Sequence, residues 1–135
     1  MEKEIITPEN VAKPMAPYAS AIKVKAAGSL VFVSGVVACD INGEIICKGD
    51  ILGQTKQMVR NLIATLEAAG AKPSSVVKTT TYVLSSEMKG FFETRAFLEC
   101  LAPFDRPTDT LVGVACLAGS EHGQLIEMDA IAVTD

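Results

Sequence analysis

The stretch from Met58 to Leu84, MVRNLIATLEAAGAKPSSVVKTTTYVL, joins a helical pattern directly to a strand pattern. Apolar residues in its first half recur at spacings of three and four, which predicts an amphipathic helix beginning near Ile51; they are Met58, Val59, Leu62, Ile63, Leu66 and Ala69. Gly70 is predicted to end this helix as a left-handed C′ residue, and Pro73 prevents the helix from resuming. Val76–Leu84 is rich in Thr, Val and Tyr and is therefore predicted to form a strand.

The segment before this helix is predicted to hold an extended arm and three short strands. Residues 1–19 contain three prolines, a density that excludes a helix or a central strand, and the arm ends at Ala16-Pro17-Tyr18. The continuous β-branched and aromatic run Leu30–Val37 is typical of a strand covered on both faces. Two further strands are predicted at Ser20–Lys25 and Glu44–Cys47, with turns at Ala27-Gly28 and Asp40–Gly43.

The segment after Leu84 is predicted to hold one more helix and two more strands. Ser85-Ser86 offers an N-cap for a helix that ends before Pro103 and is marked by Met88, Phe91, Phe92, Arg95 and Leu98. A loop at 103–109, a strand at Thr110–Leu117, a turn at Gly119–Gly123 and a strand at Leu125–Val133 follow. In the last strand the alternating residues Ile126, Met128, Ala130 and Ala132 share one face.

The element order β-β-β-α-β-α-β-β predicts a single α+β domain spanning residues 1–135, with two helices on one face of a mixed sheet. Hydrophobic residues make up 49% of the chain, which is a high share for a domain of this size. Because two helices cover only one face of the sheet, something else must cover the apolar parts of the other face. The simplest candidate is another copy of the same chain.

Charge and cysteine usage argue against several classes of partner. The net charge is −4, and no two basic residues are adjacent, so nucleic acid is not an expected partner. The four cysteines form no C-x-x-C pair and His122 is the only histidine, so neither a metal site nor a disulfide is expected. No glycine-rich phosphate loop occurs, and no cofactor is expected. Without a signal peptide or a membrane-length apolar stretch, a cytoplasmic protein that does not contact membranes is expected.

Three side chains are candidates for chemistry, each with an ordinary structural explanation beside it. Glu127 lies in a predicted strand with Asp129 on the same face, and it is either an exposed residue of an edge strand or a carboxylate that orients a water molecule. Tyr18 follows Pro17 and either fills a groove or contacts a ligand. His122 lies in a Gly-Ser-Glu-His-Gly turn, where a solvent-exposed histidine is expected.

Several segments together resemble the Rid family, the reactive intermediate deaminases of the YjgF type. The segments are Ala16-Pro17-Tyr18, Phe32–Gly35, Asn61–Ala71, Val77–Val83, Arg106–Val114 and Ile126–Ala132, in order along nearly the whole chain. The resemblance implies a chorismate-mutase-like fold and a homotrimer whose sites lie in clefts between subunits. It also implies cofactor-free hydrolysis of imines and enamines, such as 2-aminoacrylate, to a keto acid and ammonia. A small-molecule substrate is therefore the implied partner.

Carried over by position, Tyr18, Ser34, Gly35 and Glu127 match the pocket of the family. The resemblance implies that Gly35 offers a backbone N–H to the substrate and that Glu127 positions the water. The family's substrate-binding arginine falls at Asp109, and its nearby cysteine falls at Leu111. A shift of three residues would use Arg106 instead, but the ungapped frame into the following strand favours Asp109. The chain thus resembles a subgroup that lacks the arginine.

The exchange of arginine for Asp109 changes which substrates are expected. At about 4 Å and an effective dielectric constant near 20, a carboxylate substrate would be repelled by about 4 kcal/mol per acidic side chain. The sequence therefore favours a hydrolase of a neutral or cationic C=N or amide compound over a 2-imino-acid deaminase. A non-catalytic ligand-binding or regulatory trimer is the alternative. A ribonuclease, an activity ascribed to some relatives, is disfavoured by the acidic balance of the chain.

Overall fold

A computed structural model describes residues 2–10, 12–26 and 28–135. The strands are β1 Glu2–Ile6, β2 Ala21–Ala26, β3 Leu30–Val36, β4 Val76–Leu84, β5 Thr108–Val114 and β6 Ile126–Val133. The helices are α1 Ile51–Ala68, α2 Met88–Glu93 and α3 Ala96–Leu101. Short 3-10 helices lie at Pro73–Ser75, Ser85–Glu87 and Ser120–His122. Within the described ranges, none of the helices is long and apolar enough to cross a membrane.

Four strands form the main sheet in the order β3-β6-β4-β5, and the hairpin β1-β2 forms a second, antiparallel sheet. In the main sheet β6 runs antiparallel to both β3 and β4, whereas β4 and β5 are parallel. The connection between the parallel strands carries α2 and α3, as a parallel pair requires a crossover. The predicted α+β fold, with a mixed sheet and helices on one face, is confirmed.

The core lies between the main sheet and the helices, and strand alternation decides which side chains enter it. In β6 the alternate residues Ile126, Met128, Ala130 and Ala132 are buried, as the sequence predicts. They pack with apolar residues of α1 in one continuous cluster. The opposite face of the sheet stays open in the single chain, where Phe32 is 71% exposed. Coverage of that face by another copy remains a prediction.

The ends of α1 follow from local chemistry. Asp50 caps the N-terminus, where its Oδ1 accepts a hydrogen bond from the backbone N–H of Gly53 at 2.9 Å. At the other end Gly70 has a φ of 75°, and the N–H groups of Gly70 and Ala71 donate to the carbonyl groups of Glu67 and Leu66. This is a Schellman motif, so the predicted glycine stop is confirmed.

The predicted second helix is wrong in its continuity and in its cap. Arg95 adopts a left-handed conformation, with a φ of 63°, and so divides the segment into α2 and α3. A helical turn cannot continue through such a residue. Ser85 and Ser86 lie within a 3-10 helix, and neither caps α2 with its side chain.

Other boundaries also differ from the sequence expectation. The predicted strand Glu44–Cys47 is wrong, since this region forms only one bridge, Cys39 to Ile45, and Cys47 has a positive φ of 54°. The arm contains a strand, β1, because its prolines begin only at Pro8 and leave the first residues free to pair. The predicted Ala27-Gly28 turn falls partly outside the described residues.

Strand β5 begins at Thr108 and ends at Val114, not at the predicted Thr110 and Leu117. Pro107 cannot donate a backbone hydrogen bond, and pairing begins at the first residue that can. The correction moves Asp109 out of the predicted loop and into a parallel strand, opposite Thr79 of β4.

Candidate functional site

A cavity of about 470 Å³ lies between the β4–β5 edge of the main sheet and the short helices. Most of its wall is apolar and is formed by Phe91, Phe92, Phe97, Leu101 and Leu111, with Met15 and Ala16 from the arm. Its polar groups are the side chains of Tyr18, Thr81, Cys100 and Asp109. A mostly apolar pocket with a few polar groups is typical of small-molecule sites.

Asp109 is held in the cavity wall by two threonines of β4. Its Oδ1 accepts hydrogen bonds from the Thr79 hydroxyl at 2.7 Å and from the Thr81 hydroxyl at 3.1 Å. Burial raises the pKa of Asp109 above its ordinary value, and these two bonds and the charge of Lys78 oppose the shift. Both threonines are buried because alternate residues of β4 face the helices.

Cys100 of α3 lies beside this group, with its Sγ 3.9 Å from the Thr81 hydroxyl. Burial raises the pKa of Cys100 to about 12, and the nearby charge of Asp109 acts in the same direction. The thiol is therefore protonated at neutral pH and is not an activated nucleophile. Cys100 is buried in the cavity wall, whereas Cys47 and Cys116 are exposed.

The N-terminal arm brings Tyr18 to the cavity. The backbone N–H of Tyr18 donates to the Ala16 carbonyl at 2.7 Å, and the next N–H, of Ala19, donates to the Pro107 carbonyl at 2.8 Å. This second bond ties the arm to the start of β5, close to Asp109. Arg106 is exposed, has a φ of 49° and is not among the residues that line the cavity. Of these two alternative positions, Asp109 is the one in the cavity.

Glu127 and Gly35 lie together on neighbouring strands. The Glu127 carboxylate comes so close to residue 35 that a Cβ atom there would overlap with Oε1, so only glycine allows this approach. The other oxygen, Oε2, accepts a hydrogen bond from Gln124 Nε2 at 3.1 Å. The Gln124 side chain is in turn held by the backbone N–H of Gly119 at 2.8 Å. The adjacent residue, Ser34, is exposed at the irregularity in the pairing of β3.

Tyr82 and Asp129 extend the polar surface around Glu127. Tyr82 is paired with Glu127 across the β4–β6 ladder, and its hydroxyl donates to Asp129 Oδ2 at 3.2 Å. The negative charge of Asp129 raises the pKa of Tyr82, and partial burial adds to the shift. Tyr82 is therefore a neutral hydrogen-bond donor at physiological pH. This face of the sheet thus carries two acidic side chains and a phenol.

The candidate residues form two groups on opposite faces of the main sheet. Asp109 bonds Thr79 and Thr81, which face the helices, whereas Glu127 and Asp129 alternate with buried residues of β6 and face away from them. A side chain cannot cross a sheet whose faces alternate with every residue. Within one chain, Asp109 and Glu127 therefore do not share a pocket. A pocket that combines them needs Glu127 from another copy.

Sequence reasoning missed Thr79, Thr81 and Gln124, which position the two candidate carboxylates. The alternation of β4 indicates that both threonines are buried, but only the pairing of β4 with β5 brings them to Asp109. No sequence pattern indicates Gln124. The His122 side chain is exposed, and its one charged contact among the described residues is with Glu121 at 3.7 Å, as expected for a surface turn. No cluster of metal-ligating side chains occurs in the described part of the chain.

The fold and the cavity together define a small α+β domain with a ligand-sized apolar pocket beside its sheet edge. The endoribonuclease L-PSP family model matches residues 9–134, so the chain belongs to this family, which includes the YjgF/Rid proteins. A RutC family protein of Pyrococcus abyssi is 38% identical over 132 residues, which cover 98% of each chain. A 2-iminobutanoate/2-iminopropanoate deaminase of Dermatophagoides farinae is 29% identical over 141 aligned positions, covering 98% of each.

A solved structure of similar shape is that of YyfB, a Rid-family protein of Yersinia pestis. It superposes with a TM-score of 0.84 and 30% sequence identity, covering 99% of this chain and 100% of that one. The YjgF fold that the sequence resemblance implies is therefore confirmed.

Proposed function

We propose that the chain is a cofactor-independent hydrolase or deaminase of a small imine, enamine or amide-type metabolite, acting as a cytoplasmic homotrimer in clefts between subunits. The observation that carries the proposal is the contact of the Glu127 carboxylate with the Cβ-free backbone of Gly35. Gly35 is exposed and Glu127 is half-buried on this face, so the contact supplies a base that water can reach. The naming of a relative as an imine deaminase supports the same reaction class.

The reaction follows from these groups without a metal or a redox step. Water adds to the carbon of a protonated imine, and Glu127 accepts a proton from that water while it attacks. The proton then passes to the nitrogen of the tetrahedral adduct, the C–N bond breaks, and the carbonyl forms. The balance is R₂C=NH₂⁺ + H₂O → R₂C=O + NH₄⁺. Gln124 orients the carboxylate by holding Oε2, which leaves Oε1 for the water.

The proposal assigns the chain to a subgroup that lacks the substrate-binding arginine. An arginine holds a substrate carboxylate bidentately, whereas Asp109 at the equivalent position repels it. In the described part of the chain, the residues that line the cavity include no lysine or arginine to offset this repulsion, and Arg106 is not among them. The substrate is therefore not 2-aminoacrylate or another 2-imino acid. Tyr18, Ser34 and Gly35, together with Asp109, remain the proposed substrate-binding residues.

A non-catalytic ligand-binding or regulatory trimer is the second candidate. The observation that favours it is the size and apolar character of the cavity beside Asp109, which suits retention of a ligand more than access of water. In this case the cavity would bind a small molecule that the protein leaves unchanged.

Ammonia release separates the two candidates. The full chain is incubated at neutral pH with small neutral and cationic imines, enamines and amides, and with 2-aminoacrylate as the comparison substrate. We expect turnover of an uncharged or cationic compound that falls at least about 100-fold in Glu127→Gln, because a positioned base contributes about 10²–10⁴ to rate. Glu121→Gln, at an exposed position, is the matched control. Turnover unchanged in Glu127→Gln refutes the role of Glu127, and no turnover of any compound favours the binding protein.

A further inference from the structure

One carboxylate oxygen of Asp109, Oδ2, has no hydrogen-bond partner among the described residues. Both hydrogen bonds to this carboxylate go to Oδ1, from Thr79 and Thr81, and no described residue donates to Oδ2. No buried side-chain oxygen or nitrogen of the described residues lacks a hydrogen-bond partner, so Oδ2 is accessible. Asp109 lines the cavity, so the cavity offers a ligand a route to this oxygen.

The charge of Asp109 also has no close counterion in the part of the chain that the structure describes. Lys78 acts on it electrostatically, but the Lys78 ammonium donates to the Thr110 hydroxyl on the exposed side of the sheet. Among the described residues, no ion pair includes Asp109. A partly desolvated carboxylate without a paired cation is unfavourable, and a cationic group of a ligand would offset that cost.

The rest of the cavity suits an apolar group, and an aromatic one in particular. Phe92 packs against Phe91 with ring centroids 5.8 Å apart and against Phe97 at 5.2 Å, so the three rings form one aromatic wall. Aromatic rings favour offset and edge-to-face contacts with a further ring at such distances. Phe92 is 47% exposed, which leaves part of this wall available to a ligand.

We propose that the cavity binds an organic cation that carries an apolar alkyl or arylalkyl group. Its ammonium or iminium nitrogen contacts Asp109 Oδ2, and its apolar part packs against Phe91, Phe92 and Phe97. This inference rests on the proposed function. It narrows the substrate class to imines of the type R₂C=NH₂⁺ whose R groups are apolar and carry no carboxylate. The cavity volume of about 470 Å³ lies in the range of small-molecule sites, about 300–1,000 Å³. Carboxylates of the same size are excluded by like charge.

Binding is measured without turnover, by isothermal titration of the full chain with 2-phenylethylamine, 3-phenylpropanoate and 2-phenylethanol. We expect the amine to bind at least about 100-fold more tightly than the carboxylate, because the sign of the charge beside Asp109 is reversed. In a series of n-alkylamines, affinity rises about fourfold for each added methylene until the cavity is filled. Equal binding of amine and carboxylate, or no binding of any amine, overturns the inference.

Two variants identify the group that binds the amine. Asp109→Asn keeps an oxygen that accepts from both threonines, so it is expected to fold, and its affinity for 2-phenylethylamine falls at least tenfold. Glu99→Gln, which removes an exposed charge next to Cys100, leaves that affinity unchanged. An amine affinity that survives Asp109→Asn refutes the proposed contact. The ammonia assay tests the proposed function separately from this inference. If the amine binds but no compound is turned over, the proposed hydrolase function is refuted. If a compound is turned over but no amine binds, only the inference about the cavity is refuted.

Discussion

Replacing Thr81 by valine tests whether the threonines of β4 stabilise the charged form of Asp109. Thr81 is 1% exposed, and its hydroxyl is 3.1 Å from Asp109 Oδ1 and 3.9 Å from Cys100 Sγ. Valine keeps the branched shape but removes the hydroxyl, so Asp109 retains only the bond from Thr79 at 2.7 Å. The variant therefore removes one hydrogen bond with little change in packing.

A hydrogen bond to a charged group contributes about 1.5–3 kcal/mol. The lower end applies because Asp109 is only partly buried, so we expect the free energy of unfolding to fall by about 1.5 kcal/mol at neutral pH. The long contact to Cys100 adds little, since it joins two neutral groups. For a chain of this length the loss corresponds to a decrease in Tm of about 5 °C.

The loss of stability caused by Thr81→Val is expected to become smaller as the pH falls. Burial raises the pKa of Asp109 in the folded state above its value in the unfolded chain. At any pH above the folded-state pKa, the ionised carboxylate therefore lowers the free energy of unfolding by its full amount. That cost disappears as the pH falls through the folded pKa towards the unfolded value. Thr81→Val raises the pKa of Asp109 further, because the lost bond favoured the charged form. The stability difference between variant and wild type is therefore largest near neutral pH and shrinks on acidification.

Urea unfolding followed by circular dichroism measures these differences at neutral pH and near the ordinary aspartate pKa of about 4. Thr7→Val, at an exposed position whose hydroxyl makes no hydrogen bond to a described residue, is the control and is expected to change stability by less than about 0.5 kcal/mol. In an Asp109→Asn background the loss caused by Thr81→Val falls below about 1 kcal/mol, because the bond is then neutral. The same loss in both backgrounds, or a loss independent of pH, refutes the reasoning.

Three further predictions concern packing, reactivity and the proposed base. Phe91→Ala removes a side chain that is 1% exposed and lowers the free energy of unfolding by about 3–5 kcal/mol, measured by urea unfolding; a loss below about 1 kcal/mol contradicts the packing. Cys100, with its pKa raised to about 12, resists Ellman's reagent at mildly alkaline pH until the chain unfolds, whereas the exposed Cys47 reacts at once. Gly35→Ala displaces the Glu127 carboxylate and lowers ammonia release at least tenfold with an unchanged circular dichroism spectrum; full activity speaks against the proposed contact.

Local signals in the sequence account for the correct predictions about the fold. Helix α1 was predictable because its apolar spacing, its Gly70 stop and the proline after it all act over a few residues. The division between α2 and α3 was not predictable, because the apolar spacing continues past Arg95. An arginine also gives no local indication of a left-handed conformation. The start of β5 at Thr108 likewise depends on a partner strand that is distant in sequence.

The candidate site shows the same division between local and tertiary information. By itself, the sequence determined that positions 35, 127 and 109 hold a glycine, a glutamate and an aspartate, and the family resemblance predicts that they belong to the site. Only the tertiary structure decided what these residues touch. Parallel pairing of β4 and β5 brings the hydroxyl of Thr79 to Asp109 across 30 residues of sequence. The alternation of a pleated sheet then puts Asp109 and Glu127 on opposite faces, because pairing partners and register are set by contacts that no short stretch of sequence contains.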